Sequence, residues 1–132
     1  MIEEGIVALV QGTPAVAAIA PAGGFLGTAF PKDSDLPTWT HLTVSEPGQY
    51  TLSGRQSLTK RRMQIDCYAN DPDSVVLLAQ AIDAVLDGYR GTLPDDDSTV
   101  VQGCFRTDLQ DFHGDDTRTS RRMLEYEIWF VN

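Results

Sequence analysis

The sequence predicts an α+β fold. It is a two-layer sandwich in which two helices pack on one face of a mainly antiparallel four-stranded sheet, in the order α-β-β-α-β-β. Three observations predict it. Residues 62–69 alternate Met63, Ile65, Cys67 and Ala69 with Arg62, Gln64, Asp66 and Tyr68, the period of a half-buried strand. Residues 72–86 place Val75, Leu78, Ala79, Ile82, Val85 and Leu86 on one helical stripe. Residues 122–132 alternate again, with Leu124, Tyr126, Ile128 and Phe130 on one face and Glu125, Glu127 and Trp129 on the other. Two helices on one face of four strands bury every apolar face found in this way. The 132 residues read as a single domain, 1–132, long enough to bury a core without staples.

The chain opens with a short amphipathic helix, Ile2 to Gln11, with Ile2, Ile6 and Leu9 inward and Glu3, Glu4 and Gln11 outward. Thr13-Pro14 signals one or two further turns, Ala15 to Ala20, closed by Pro21. Ala22 to Gly27 is a flexible connection; no Gly-Lys-Ser/Thr follows, so it is not a phosphate cradle. Phe30-Pro31 to Leu36-Pro37 is a polar loop. Thr38 to Ser45 alternates as a strand whose inward face is either Leu42 and Val44 or Trp39 and His41. Residues 38–69 then form a hairpin with a long basic tip that carries Arg55, Lys60, Arg61 and Arg62. Hairpin loops usually run about 2–5 residues, and longer ones are more often contact sites than filler.

Asp71 is a good N-cap for the central helix, Pro72 suits its first position and Asp73 complements the dipole, while Gly88 fits a left-handed C-terminal cap. Leu77, Ala81 and Ala84 form a weaker stripe on the opposite face. It is read either as small, helix-favouring surface or as a contact with another subunit. Gly91 to Ser98 reads as a turn region, and Thr99 to Leu109 as a strand with Val101, Phe105 and Leu109 on one side. Asp111 to Ser120 is a second long polar loop, bearing Asp111, Asp115 and Asp116.

Composition narrows the function classes. The net charge of −9 is uneven: residues 1–66 carry 5 basic and 6 acidic groups, and residues 67–132 carry 5 and 13. An acidic balance argues against binding a phosphate backbone. Tyr68 and Trp129 lack the Lys/Arg-Gly-Phe setting of an RNA-binding sheet and stand among Asp66, Glu125 and Glu127. No apolar run reaches the ~18 residues of a membrane helix, and the acidic start, Met1-Ile2-Glu3-Glu4, is unlike a signal peptide. Cys67 and Cys104 read as reduced core thiols. The runs Asp95–Asp97 and Asp111–Asp116 lack EF-hand spacing, His41 and His113 belong to no zinc pattern, and no Gly-x-Ser-x-Gly elbow occurs. The expectation is a non-enzyme with no catalytic, metal or cofactor residues.

Several stretches carry a resemblance. They are Met1-Ile2-Glu3-Glu4 with its helix and Thr13-Pro14-Ala15-Val16; Leu36-Pro37 before a strand; and Arg62-Met63-Gln64-Ile65-Asp66-Cys67-Tyr68-Ala69. To these add Leu86-Asp87-Gly88-Tyr89-Arg90-Gly91, Val101-Gln102-Gly103 and the alternating last strand. Together they are similar to the tailed-phage tail-completion, or head–tail joining, family across nearly the whole chain. Phe25 to Pro31 departs from the Ile-Tyr-Pro expected there. The resemblance implies a structural virion protein of a phage or prophage, made in the bacterial cytoplasm and placed in the neck. Such subunits form a ring, typically a homohexamer, that completes the tail tube and joins it to the head. The partners implied are copies of itself, the tail-tube protein and head connector proteins, with DNA passing through the lumen unbound and no membrane contact. The basic tip and the acidic loops are then expected to attract each other between neighbours. The competing expectation is a cytosolic α+β module that binds a small ligand or a regulatory protein in an enclosed apolar pocket.

Overall fold

A computed structural model describes residues 2–27, 36–46, 50–51, 54–55, 58–94, 96–113 and 120–131. The helices are α1 (Ile2–Gln11), α2 (Pro14–Ile19) and α3 (Pro72–Leu86). The strands are β1 (Phe25–Leu26), β2 (Thr38–Ser45), β3 (Tyr50–Thr51), β4 (Gly54–Arg55), β5 (Leu58–Ala69), β6 (Gly91–Leu93), β7 (Asp96–His113) and β8 (Ser120–Val131). Six strands form one sheet in the order β1-β2-β5-β8-β7-β6, and β3 pairs with β4 apart from it. β1 runs parallel to β2 and the other pairs are antiparallel, so the sheet is mixed; it curls into a half-barrel. The four-stranded, two-helix sandwich in the order α-β-β-α-β-β is therefore corrected to six strands and three helices.

The two extra strands explain the difference. β1 has only two residues and lies between glycines, too short for any period to show. It is held by Gly24 N–H to Trp39 O (2.9 Å) and Gly27 N–H to His41 O (2.8 Å). Gly24 and Gly27 have φ of +81° and +108°, a region that side-chain-bearing residues rarely adopt. β6 occupies the stretch read as a turn, and Leu93 there is fully buried.

The central elements form as their residues dictate. Asp71 caps α3 by accepting from Ser74 N–H (2.8 Å), and Pro72 takes the first turn. Val75, Leu78, Ala79, Ile82 and Leu86 are buried, and Val85 packs against the core from its edge. Gly88, at φ +84°, donates to Cys104 O at 2.6 Å and so ties the helix end to β7. On β5 and β8 the alternating sets face the helices, with Met63, Ile65, Cys67 and Ala69 against Leu124, Tyr126, Ile128 and Phe130. Burying each large side chain contributes about 1.5–3 kcal/mol.

Cross-strand partners share a face, and this settles β2. Trp39 pairs with Cys67 and His41 with Ile65, so Trp39 and His41 face the helices while Leu42 and Val44 turn away. Irregularities at Val101/Gly103 and Arg106/Asp108 reset the alternation of β7 twice. Cys104 is thereby turned inward and Phe105 outward, leaving Phe105 53% exposed rather than beside Val101 as expected. On α1, Val10 is buried and Leu9 only partly so. Thr13 donates to Leu9 O (3.0 Å) and makes no side-chain cap on α2.

Helix α1 lies close against β6 at Gly5. A Cβ there would lie 2.8 Å from Leu93 Cβ. Gly5→Ala is expected to destabilise the fold by about 1–3 kcal/mol through overpacking, read as a lower urea midpoint with an unchanged slope.

Candidate functional site

All three helices lie on one face of the sheet, and the opposite face is a network of polar and aromatic side chains. At its centre Asp66 is fully buried. It accepts from Arg121 (2.9 and 3.0 Å) and from Gln64 Nε2 (2.8 Å). The Arg121 guanidinium also stacks over Phe112 at 4.8 Å and Tyr68 at 5.9 Å. A buried carboxylate needs this pairing, because losing one partner of such a pair costs about 3–5 kcal/mol. The alternation of β5 showed Asp66 pointing away from the core, but its partner is 55 residues distant and carried no local signal.

The residues expected to meet a neighbour lie in different settings. Arg55 is in β4, opposite Tyr50. Lys60 sits 5.3 Å above the Trp129 ring on the helix-free face. Arg61 points to the helix side, where it bonds Glu3 of α1 and Glu46 (2.7 Å) and lies 5.6 Å from the Phe130 ring. Arg62 pairs with Glu125 at 2.8 Å. Asp111 accepts two bonds from Arg122, at 2.7 and 3.1 Å, and this holds the guanidinium pKa above its usual value. Leu77 is 56% exposed on α3, whereas Ala81 packs partly buried against the core. Asp115 and Asp116 lie outside the described residues. The basic segment is thus largely strand β5, and the cations of that strand have partners within the chain.

One groove was not anticipated. It has a volume of about 510 Å³, opens between α1 and β1, and is lined by Glu3, Glu4, Val7, Ala8, Gly24, Leu26 and His41. Its bed is apolar, its rim carries two carboxylates, and Leu26 stands 73% exposed at its lip. The wall is fixed by a clamp: Trp39 Nε1 donates to Gln11 Oε1 (2.9 Å), and Gln11 Nε2 donates to Ala20 O (2.6 Å). Gln11, read as outward, is instead a bracket between α1, α2 and β2. His41 is 5% exposed, and its Nδ1 has no hydrogen-bond partner.

Chemically reactive character is suppressed in the core. Burial raises the Cys67 and Cys104 thiols, Cys104 to about 12, so neither is a thiolate at neutral pH. Tyr126 donates to Asp83 Oδ1 at 2.7 Å, and burial raises its pKa. Among the described residues no three His, Cys, Asp or Glu side chains cluster to hold a metal ion.

The comparisons with known proteins decide the family. The model of the family described as "Tail completion protein gp17" matches residues 4–131. This chain belongs to that tail completion family. Its kinship agrees with the resemblance carried by the strand–helix stretch at 62–91. Among solved structures, a chain of the "Virion of native gene transfer agent (GTA) particle" has the same fold, with a TM-score of 0.73 at 11% identity. The match covers 99% of this chain and 95% of that one. No curated protein matches. A tail completion protein is a structural component of a phage tail, and the charged faces and the groove are accordingly candidate assembly surfaces.

Burial lowers the pKa of His41 below 6.5, outweighing its bond with the Gly24 backbone and the field of Glu3, which raise it. The unfolded chain therefore takes up the proton first. The stability that depends on neutral His41 is complete above pH ~6.5 and is lost as pH falls through the window below it. Urea titrations at pH 7.5 and 5.5 are expected to show wild type losing more stability than His41→Gln.

Proposed function

We propose that this tail completion protein is the repeating subunit of a ring at the head–tail junction, where it completes the tail tube and joins it to the head. The observation that carries the reading is the family match over residues 4–131, together with a fold shared end to end with a chain of the gene transfer agent virion. The expected state is a homohexamer in the virion, contacting the tail-tube protein and head connector proteins, with DNA passing through the lumen.

The physical features suit that role. The sheet ends in β1, two residues long, and β6, three residues long. Beyond Arg106, whose N–H donates to Asp87 at the end of α3, β7 pairs with β8 alone among the described residues. Such edges are available to other chains. A net charge of −9 repeated around a lumen repels DNA and lets it pass. Shape and surface perform this task, and no step in it breaks a bond.

Sedimentation of the purified full chain at low and high salt tests self-assembly. The expected result is a ring-sized species at low salt that shrinks as salt screens the charged contacts. A monomer at every salt and protein concentration contradicts a self-assembling ring.

A further inference from the structure

β1 is the shortest strand of the main sheet and stands at its edge. Its two residues, Phe25 and Leu26, are flanked by Gly24, whose N–H donates to Trp39 O, and by Gly27, whose N–H donates to His41 O. His41 itself is 5% exposed, and its Nδ1 meets no hydrogen-bond partner among the described residues. We propose that β1 is an acid-sensitive strap: when His41 takes up a proton, β1 lifts from β2 and bares the edge of that strand. The device does not depend on whether the chain forms a ring.

The geometry selects the element that gives way. His41 has Ile65 of β5 as its partner on one flank and Leu26 of β1 on the other, so the three side chains share a face. Glu3, Glu4 and Val7 of α1 line the same groove. A charged imidazole enclosed there gains by returning to water. β5 cannot yield, because it is paired on both sides, with β2 and β8. Nor can α1, which is anchored in the core by Ile2, Ile6 and Val10. β1 has neither hold. Leu26 is 73% exposed, and the groove of about 510 Å³ leaves the strand room to move.

The charges around His41 do not cancel the effect. α1 brings Glu3 and Glu4, and β5 brings Arg61, which is bonded to Glu3 and to Glu46. β1 brings no titratable group. The field of Glu3 and the bond with the Gly24 backbone favour the charged ring, and burial outweighs both. The open form, with His41 in water, therefore binds the proton more tightly than the closed form. Opening grows as pH falls below about 6.5. Local openings of this kind need far less free energy than global unfolding. Once β1 has left, Trp39 O and His41 O are unpaired, and β2 is open to strand addition by another chain.

Amide hydrogen exchange of the full-length protein, followed by NMR and corrected for the intrinsic rate at each pH, tests the strap. Between pH 7.5 and 5.5 the protection of Gly24 and Gly27 is expected to fall by up to about tenfold, the limit set by an ordinary imidazole pKa near 6.5. Their exchange should also be nearly independent of low urea, because little surface is exposed when β1 lifts. In His41→Gln the fall with pH should vanish. The wild type supplies a check that needs no variant: protection starts to fall near pH ~6.5 and levels off below the pH at which the His41 ring resonances titrate. Protection that is the same at both pH values, that falls equally in His41→Gln, or that keeps falling past that titration overturns the proposal. So does glycine exchange that rises with urea in step with the β5–β8 ladder, since β1 would then open only with the whole fold.

Discussion

The structure depends on one antiparallel ladder. β5 and β8 pair without interruption from Leu58 opposite Val131 to Ala69 opposite Ser120. Their inner residues make the floor on which α3 lies, and their outer residues make the polar face. Burial on one side fixes the register, because a slip of one residue would send Met63, Ile65 and Cys67 into solvent and Asp66 into the core. The flanking strands β2 and β7 inherit that register through the pairs Trp39–Cys67 and Cys104–Ile128. Function follows from this rigidity. A structural protein of a phage tail must hold its edges at constant angles.

Charge is used in two ways. Inside the chain it locks elements together: Arg61 joins β5 to α1, Arg121 neutralises buried Asp66, and Arg122 joins β8 to Asp111 of β7. The pair to half-exposed Asp111 contributes about 0–1 kcal/mol and sets geometry more than stability, whereas fully buried Asp66 depends on its guanidinium. The chain as a whole keeps an acidic excess, a net charge of −9.

Much of this was legible in the residues, and the remainder was hidden for physical reasons. α3 was readable because it has a cap, a proline and four turns of stripe; β5 and β8 were readable because their alternation is long. β1 and β6 are two and three residues long, below the length at which a period exists. Phe105 was placed on the wrong face because a β-bulge shifts parity without a composition signal. The register of β2 stayed open because both of its faces carry apolar residues, and only the pairing with β5 decides it. The charges of Arg61, Arg62 and Asp111 were visible, but their partners are set by tertiary structure. Arg61, for instance, meets a carboxylate 58 positions away. The groove was invisible because it is a space between α1 and a strand that sequence did not reveal.

The family assignment makes this chain a structural protein of a phage tail, and the function proposed for it is that of a rigid subunit that closes and connects a tube. Electron cryo-microscopy of particles carrying a labelled copy of this chain tests it most directly. The account predicts one ring of label at the head-proximal end of the tail. Label distributed along the tube, or absent from finished particles, would contradict it.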